Sequence, residues 1–221
     1  MSLFHLEKVF KTYGKDTALR GIDLDIEEGE FLAIVGPSGC GKSTLLRILS
    51  FLEEKTSGIY LFQGKKAESL STKEIDRLHR EDFAFVFQDY LLEDRLSAFE
   101  NVAIPLYIRG GKTKKETERE VLEALKRTGT EDLRQKKAKD LSGGEKQRIA
   151  IARAIVTRPK ILFADEPCGN LDVKNGLGIM NLFQELHKEG VTIIMVTHNL
   201  DHAKMGKRIV SMRDGRVVCH D

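Results

Sequence analysis

The sequence lacks the features that would place its 221 residues in a bilayer, outside the cell or on nucleic acid. No apolar run approaches the roughly 18 to 20 residues that cross a membrane, and the first residues lack the apolar segment of a signal peptide. The net charge is only +2, from 36 basic and 34 acidic residues, so a basic nucleic-acid-binding surface is not indicated. Any membrane-spanning part is therefore expected to belong to another chain.

Cysteine is scarce as well. Cys40, Cys168 and Cys219 follow neither a C-x-x-C spacing nor an even framework. This pattern argues against disulfides and structural zinc. A reducing, cytosolic compartment is the simpler interpretation.

What the sequence does contain is the pattern of a parallel α/β domain. Apolar residues make up 41% of the chain and charged residues 32%, which fits a globular fold with a substantial core. Two alternating segments, FHLEKVF and GIDLDIEEG, predict half-buried strands near an edge, and RIVSMRDGRVV predicts a hairpin that turns at Asp214-Gly215. Four continuous apolar runs predict strands buried on both faces: FLAIVG (31–36), FAFVFQ (83–88), KILFAD (160–165) and VTIIMVTH (191–198). We expect a mostly parallel α/β core with antiparallel strands at one edge.

The middle of the chain has a different pattern, because strand signals stop between residue 89 and about residue 159. A charged helix is predicted within residues 112–129, with apolar positions at Val121, Leu122 and Leu125, and a second from Gly143 to about Thr157. The charged helix fits a solvated face with a narrow packing stripe better than a binding surface. The chain is expected to form a single domain, residues 1–221, with a core (1–88 and 159–221) and a helical subdomain (89–158).

A glycine-rich segment, the P-loop, follows the first buried strand and leads into a helix predicted from about Lys42 to Leu52. Its letters match the phosphate-binding pattern G-x-x-x-x-G-K-[ST] and comprise Gly36, Pro37, Ser38, Gly39, Cys40, Gly41, Lys42, Ser43 and Thr44. The glycines let backbone N–H groups turn towards phosphates, Lys42 brings charge to the β- and γ-phosphates, and Ser43 offers a hydroxyl to Mg²⁺. The strand–loop–helix setting argues against a purely structural turn. For Cys40 alone, a small space-filling residue is the favoured interpretation.

Carboxylates end the buried strand at residues 160–165. Asp165 and Glu166 follow four apolar residues, and the carboxyl ends of parallel strands are where such sheets bind ligands. Asp165 is expected to hold Mg²⁺ directly or through water, and Glu166 to orient or deprotonate an attacking water. His198 ends another buried strand, where it is placed either to hydrogen-bond a γ-phosphate or to serve a structural role.

A further candidate anion site is LSGGEKQR, residues 141–148, called here the LSGGEKQR segment. Ser142 and Glu145 have the S-x-x-E spacing of a capping box. The box does not explain Gly143 and Gly144, each of which weakens a helix by about 1 kcal/mol relative to alanine. Two small residues at a helix start leave room for an anion, although the chain already has a phosphate site.

Taken in order, these motifs resemble those of the nucleotide-binding subunit of ABC transporters. The resemblance covers essentially the whole chain and rests on six separated elements: GPSGCGKST, FVFQ, LSGGEKQR, ILFADEP, GNLD and VTH. It implies a P-loop NTPase fold with a RecA-like core of mostly parallel sheet, an antiparallel β edge and an inserted helical subdomain. The cofactors that it implies are ATP and Mg²⁺.

The resemblance also implies roles for individual residues. Glu166 takes the part of catalytic base, assisted by Lys42 and by His198, which contacts the γ-phosphate. Tyr13 aligns with the aromatic that stacks on adenine, with an edge-strand tyrosine as the alternative. Gln88 resembles the glutamine that contacts Mg²⁺ and water and senses the membrane partner. The implied metal-binding residues are Ser43, Gln88 and Asp165.

A second copy of the chain is part of the same resemblance. Two copies would enclose two ATP molecules, and Asp172 in GNLD resembles the aspartate that links them. Each ATP would face four residues of the other copy's LSGGEKQR segment: Ser142, Gly143, Gly144 and Glu145.

Within the family, the chain is most similar to the bacterial branch that powers lipoprotein release, macrolide or peptide export and cell-division permease complexes. FVFQDYLL, SAFENVAIPLYIRG, LSGGEKQRIAIARAIV, DEPCGNLD and MRDGRVV carry this similarity. Cys168 replaces the threonine usual in DEPTGNLD, and Glu93-Asp94 replace an often present proline; neither change touches a hydrolytic residue. The branch implies a homodimeric ATPase on the cytoplasmic face of the cell membrane, bound to an integral membrane permease and not to nucleic acid.

Other ATPases remain open as alternatives. A soluble ABC factor without a permease would be expected to carry two cassettes or a long coiled-coil insertion, and this sequence contains neither. A signalling module that pulls on a membrane partner would have the same ATPase chemistry. A P-loop small-molecule kinase is disfavoured by the LSGGEKQR segment. The transported molecule would contact the permease, so this sequence does not specify it; the branch favours export.

Overall fold

Two β-sheets and seven α-helices make up the chain in the computed structural model, which describes residues 2–220 except the side chains of the last two. The strands are β1 (Ser2–Tyr13), β2 (Asp16–Glu27), β3 (Phe31–Val35), β4 (Ser57–Phe62), β5 (Lys65–Lys66), β6 (Phe83–Val86), β7 (Ile161–Asp165), β8 (Thr192–Thr197), β9 (Arg208–Arg213) and β10 (Arg216–His220). The helices are α1 (Lys42–Leu49), α2 (Thr72–Glu81), α3 (Ala98–Arg109), α4 (Lys114–Arg127), α5 (Gly143–Ile155), α6 (Val173–Lys188) and α7 (Leu200–Ala203).

The larger sheet has the strand order β10-β9-β3-β8-β7-β6 and is parallel except at β10. It contains all four strands predicted from apolar runs, and every residue of β3 and β8 is buried. The predicted hairpin is confirmed, with positive φ at Asp214 and Gly215 as a tight turn between antiparallel strands requires. The mostly parallel core with an antiparallel edge strand is therefore confirmed.

The smaller sheet is antiparallel, in the order β2-β1-β4-β5, and it covers one face of the larger sheet. Alternate residues of β3 show the layering, because successive side chains of a strand point to opposite faces. Leu32 and Ile34 pack in the core shared with the antiparallel sheet and α1. Phe31, Ala33 and Val35 pack in the core shared with the helices of the other face. The two alternating segments of the sequence thus form a covering layer.

The helical middle agrees with its prediction. Between residues 89 and 159, the described chain forms α3, α4 and α5, which pack on one another. It also forms two short 3₁₀ helices, Glu131–Leu133 and Ala138–Asp140, and one isolated bridge from Ser97 to Lys137. Of the three predicted apolar positions of α4, Val121 and Leu125 are buried, as is Ala124, whereas Leu122 is half-buried. The limits of the core and the helical subdomain stay a prediction.

Three helices and one strand of substantial length had no specific sequence prediction: α2, α3, α6 and β4. The helix predicted to end near Leu52 ends at Leu49, before Phe51 with φ +57°. Among the described residues, no helix combines the length and apolar character that crossing a bilayer requires. Cys40 and Cys168 are free thiols, and the side chain of Cys219 lies outside the described part.

Candidate functional site

The P-loop connects β3 to α1 in a conformation that needs glycine at two close approaches. A Cβ atom at Gly36 would lie 2.3 Å from the carbonyl oxygen of Met212 and 2.8 Å from Sγ of Cys40. A Cβ atom at Gly41, where φ is +101°, would lie 2.6 Å from the carbonyl oxygen of Ala18. Cys40 is buried against this turn, which agrees with a space-filling role.

Lys42 and the start of α1 face the interior of the P-loop. Lys42 is buried, and its Nζ donates hydrogen bonds to the carbonyl oxygens of Gly36 at 2.7 Å and Pro37 at 3.0 Å. No side chain of the described residues caps α1, so its first N–H groups stay available. A charged ammonium group and free N–H donors at a helix start together form an environment suited to phosphate.

Ser43 and Asp165 bring a hydroxyl and a carboxylate together beside the P-loop. The Ser43 hydroxyl donates a hydrogen bond to Oδ1 of Asp165 at 3.1 Å. Burial raises the pKa of Asp165, the Ser43 hydrogen bond opposes this shift, and the neighbouring charge of Glu166 adds to it. A half-buried carboxylate next to a hydroxyl fits Mg²⁺, which commonly takes few protein oxygens and completes its coordination with phosphate and water.

Glu166 lies at the carboxyl end of the parallel sheet with both carboxylate oxygens engaged. Thr197 Oγ1 donates to Oε2 at 3.0 Å, and Nδ1 of His198 lies 2.9 Å from Oε1. The Thr197 oxygen accepts the backbone N–H of Asn199 at 3.1 Å, which directs the hydroxyl proton towards Glu166. Glu166 also has φ +46°, an uncommon backbone conformation for a side chain of this size.

Tyr13 and Gln88 border this region from two sides. The Tyr13 side chain, at the end of β1, is hydrogen-bonded with Glu53 and Thr44, and Lys11 Nζ lies 4.9 Å from the ring centroid. Burial is the largest cause of the raised Tyr13 pKa, followed by the Glu53 hydrogen bond. Gln88 lies in the loop after β6, and its amide side chain would be 3.2 Å from a Cβ atom at Gly169, three residues beyond Glu166.

The LSGGEKQR segment forms the predicted capping box at the start of α5. Ser142 N–H donates to Oε2 of Glu145 at 2.7 Å, and Glu145 N–H donates to the Ser142 hydroxyl at 3.4 Å. The two glycines allow close packing, because a Cβ atom at Gly143 would lie 3.1 Å from the Tyr90 hydroxyl. A Cβ atom at Gly144 would lie 3.2 Å from the Asn175 side chain. These neighbours differ from those of the P-loop.

Asp172 begins α6, close to the LSGGEKQR segment. Its Oδ1 accepts the backbone N–H of Asn175 at 2.9 Å, and its Oδ2 accepts the Asn175 side-chain amide at 2.6 Å. These two bonds, the backbone one first, hold the pKa of Asp172 below its ordinary value. Asp172 and Ser142 are thus both helix N-caps, on α6 and α5.

Known proteins share this arrangement of motifs. The sequence model of the family described as "ABC transporter" matches residues 19–169. The chain belongs to the ABC transporter family. It is an ATP-binding cassette with ATPase activity.

Curated relatives of this ABC ATPase are similar over nearly its full length. The lipoprotein-releasing system ATP-binding protein LolD of Aquifex aeolicus is 42% identical over 214 residues, which are 97% of this chain and 94% of the relative. The macrolide export ATP-binding/permease protein MacB of Chlorobium luteolum is 46% identical over 220 residues, which are 98% of this chain but 33% of the relative.

A solved ABC cassette has the same fold. The dimeric structure of the bacterial ABC transporter cassette MJ0796 superposes with a TM-score of 0.91 at 40% identity, covering 99% of this chain and 97% of that one. A dimeric post-hydrolysis state of MJ0796 bound to ADP and Pi has the same TM-score at 39% identity.

Two contact residues of this ABC ATPase were missed by the sequence analysis. Thr197 donates to Glu166, and the signal that could have indicated it is its place directly before His198 at the strand end. Asn175 contacts Asp172, and its signal is the three-residue spacing after a helix N-cap, from which side chains commonly reach back. Both residues belong to the surroundings of the predicted site residues.

Proposed function

We propose that the chain is the ATP-hydrolysing subunit of a membrane transporter, in which two copies close around two ATP molecules and drive a separate permease. The arrangement of Glu166, Thr197 and His198 beside the Ser43–Asp165 pair is the observation that carries this proposal. The Glu166 carboxylate, which can accept a proton, lies next to the Ser43 and Asp165 oxygens, which suit Mg²⁺. That combination fits hydrolysis of a nucleoside triphosphate.

Hydrolysis would proceed by attack of water on the γ-phosphorus. Glu166 takes the proton of the attacking water, while the Thr197 hydroxyl and His198 keep the carboxylate in place. Lys42 exchanges its bonds to the P-loop carbonyls for the β- and γ-phosphate oxygens, and the P-loop N–H groups stabilise the charge of the departing ADP. Ser43, Asp165 and Gln88 would hold Mg²⁺, which neutralises phosphate charge. Tyr13, beside Thr44, stacks on the adenine.

The second copy completes the site. Beside its capping box, the start of α5 offers the N–H groups of Gly143 and Gly144 to a phosphate. These glycines face Tyr90 and Asn175 of the same chain, whereas the P-loop glycines pack on Ala18 and Met212. We infer that Ser142, Gly143, Gly144 and Glu145 contact the γ-phosphate on the other copy's P-loop, with Asp172 linking the copies. The relative MJ0796, at 40% identity, is dimeric in its solved structure.

A membrane partner would dock where the helical middle meets the larger sheet. A groove of about 360 Å³ lies there, with Phe85, Phe87, Pro105 and Ile108 among its lining residues. Ile108 and its neighbour Tyr107, both on α3, are 64% and 66% exposed. A helix of a permease on the cytoplasmic side would bury these apolar surfaces. The names of LolD and MacB, a lipoprotein-releasing and a macrolide export protein, support extrusion as the direction of transport.

ATP-dependent association of the Glu166→Gln variant tests the proposal. The substituted amide would keep the shape of the side chain but not its basicity, so ATP should accumulate in a closed pair. We expect sedimentation velocity to show a dimer with ATP and Mg²⁺ and a monomer with ADP. The double variant Lys42→Ala/Glu166→Gln, which loses the phosphate contact, serves as the control and should stay monomeric. A Glu166→Gln protein that stays monomeric at saturating ATP would contradict the shared site.

A further inference from the structure

Asn175 connects the two segments of one chain that the proposed function brings to the other copy's nucleotide. Its side-chain Nδ2 donates to Oδ2 of Asp172 at 2.6 Å, and its backbone N–H donates to Oδ1 at 2.9 Å. Its side-chain Oδ1 accepts Nη1 of Arg148, within the LSGGEKQR segment, at 2.8 Å. A single amide thus bridges the start of α6 and the first turns of α5.

Packing and charge add to this bridge. The Asn175 amide lies against Gly144, where a Cβ atom would be 3.2 Å from it, so a larger residue would press on the bridge. Arg148 is half-buried, and its Nε has no hydrogen-bond partner among the described residues. The bond to Asn175 therefore satisfies one nitrogen of a guanidinium group whose Nε has no partner, and bonds from a charged donor are the stronger kind.

We propose that Asn175 is a positioning residue that holds Asp172 and the LSGGEKQR segment as one unit for the other copy's nucleotide. The inference rests on the proposed function, because it concerns the residues that this function assigns to the partner's ATP. Among the described residues, the side-chain hydrogen bonds of Asn175 go to Asp172 and Arg148, not to the P-loop or Glu166. It acts by fixing the distance between Asp172 at the start of α6 and the LSGGEKQR segment at the start of α5.

The bridge should affect closure of the dimer and not ATP binding to the monomer. ATP binding to a monomer uses the P-loop and Tyr13, which do not depend on Asn175. Closure of the pair requires Asp172 and Gly144 to contact the partner at the same time. If the two segments move independently before closure, they lose more conformational entropy on closing than two segments that are already joined. Loss of the bridge should therefore weaken dimerisation and turnover while leaving the KM-determining contacts of the monomer in place.

Three substitutions in the Glu166→Gln background separate these effects. Asn175→Ala removes both side-chain bonds, and Asn175→Asp keeps an acceptor for Arg148 but loses the donor to Asp172. Asn181→Ala removes an exposed side chain of the same residue type from the same helix and is the matched control. Each protein is examined for ATP affinity with a fluorescent ATP analogue at low protein concentration, for dimerisation by sedimentation, and for amide exchange without nucleotide.

We expect both Asn175 variants to bind ATP as the parent does and to exchange amides faster in residues 142–146 and 170–176. Their dimer dissociation constants should rise about tenfold or more, since both variants lose the charge-assisted bond to the Asp172 carboxylate. In the chain with Glu166 restored, kcat should fall and KM should stay. Asn181→Ala should match its parent throughout.

The opposing outcomes are distinct. Unchanged dimerisation and exchange in a folded Asn175→Ala protein overturn the positioning role alone, and Asn175→Asp decides the matter if Asn175→Ala does not fold. A parent Glu166→Gln protein that fails to dimerise overturns the proposed function, and this inference with it. Weaker ATP binding by the monomer would assign Asn175 to the nucleotide site instead.

Discussion

At the scale of single residues, the surroundings of Glu166 explain how one carboxylate is held in a fixed direction. Its partners are the hydroxyl of Thr197, the last residue of β8, and a ring nitrogen of His198, the next residue along the chain. Neither partner is a lysine or an arginine, whose permanent charge would oppose protonation of the carboxylate. The arrangement fixes the direction of the carboxylate and leaves it able to take a proton.

Glu166→Gln should bind ATP with unchanged affinity and lose nearly all turnover. The amide can keep one contact with Thr197 or His198 but accepts a proton poorly, and losing a general base commonly costs about 10² to 10⁴ in rate. Phosphate release at saturating ATP measures the loss, and equilibrium ATP binding is the comparison. Turnover close to that of the unchanged chain would remove Glu166 from the role of base.

Gly144→Asp should leave ATP binding to the monomer intact and block dimerisation and hydrolysis. The new carboxylate would stand at the start of α5, where it repels a phosphate, and its Cβ would press on the Asn175 amide at 3.2 Å. Gly144→Ala separates the two causes, because it adds the same Cβ without charge. Sedimentation with ATP provides the measurement. Normal hydrolysis by Gly144→Asp would leave the glycine with its packing role alone.

At the scale of elements, the strands were more predictable than the helices. β3, β7 and β8 are uninterrupted apolar runs because both faces of the strand are buried, and such runs are visible in a sequence. α6 contains Gly176 and Gly178, which obscure its helical pattern. Gly176 is explained only by tertiary contact, since a Cβ atom there would lie 3.2 Å from Nε2 of His202.

The candidate site likewise has residues that the sequence indicates and contacts that it does not. The P-loop, Asp165 and Glu166 stand out in the sequence because they follow buried strands directly, at the sheet edge where ligands bind. The contacts of Asn175 with Arg148 and Gly144 join segments about 30 residues apart in the sequence. No periodicity records such a contact, because it depends on how α5 and α6 are oriented after folding.

Gly41→Ala should abolish ATP binding by the P-loop, because it adds a steric clash to the backbone strain. Alanine at φ +101° is strained, by about 1 to 2 kcal/mol, and its Cβ would also lie 2.6 Å from the carbonyl oxygen of Ala18. Gly64→Ala is the matched control, with φ +75° and nothing within 4 Å of the added Cβ. We expect both variants to lower the thermal midpoint and only Gly41→Ala to lose ATP binding. Equal ATP affinity in the two would contradict the close approach.

At the scale of the whole molecule, Tyr60 links the antiparallel sheet to the P-loop helix. Its hydroxyl donates to the carbonyl oxygen of Leu49 at 2.7 Å, and its ring stacks with Phe51 at a centroid distance of 5.2 Å. Tyr60 lies on β4 and Leu49 ends α1. Burial raises the pKa of Tyr60 well above its ordinary value, because a phenolate would be unsolvated there.

This burial makes the fold sensitive to high pH. The pKa of Tyr60 is higher in the folded than in the unfolded chain, so its contribution to stability is complete below about pH 10 and is lost as the pH rises above that value. We expect the urea midpoint to fall above pH 10 and to fall less in Tyr60→Phe. The sequence has no tryptophan, so absorbance at 295 nm follows tyrosine ionisation directly. Ionisation of Tyr60 in a chain that stays folded would contradict its burial.

A charge placed in the groove beside α3 should impair coupling to a membrane partner. Ile108→Glu places a charge in the groove and should bring the stimulated ATPase rate down towards the unstimulated rate when the permease is supplied in lipid vesicles. Ile59→Glu changes an exposed apolar residue on the antiparallel sheet and is the control. Equal stimulation of both variants would mean that the partner docks elsewhere.

The two-sided packing of β3 has a consequence for how cassettes can be recombined. Leu32 and Ile34 belong to one core, and Phe31, Ala33 and Val35 to the other, so an insertion or deletion of one residue would exchange every side chain between compartments. It would also move Gly36 about 3.3 Å along the strand axis, away from its close approach to Met212. The number of residues from the start of β3 to the P-loop is therefore as constrained as their chemistry. Chimeras of ABC cassettes should tolerate a change of length in the turn before β3, and none within β3 itself.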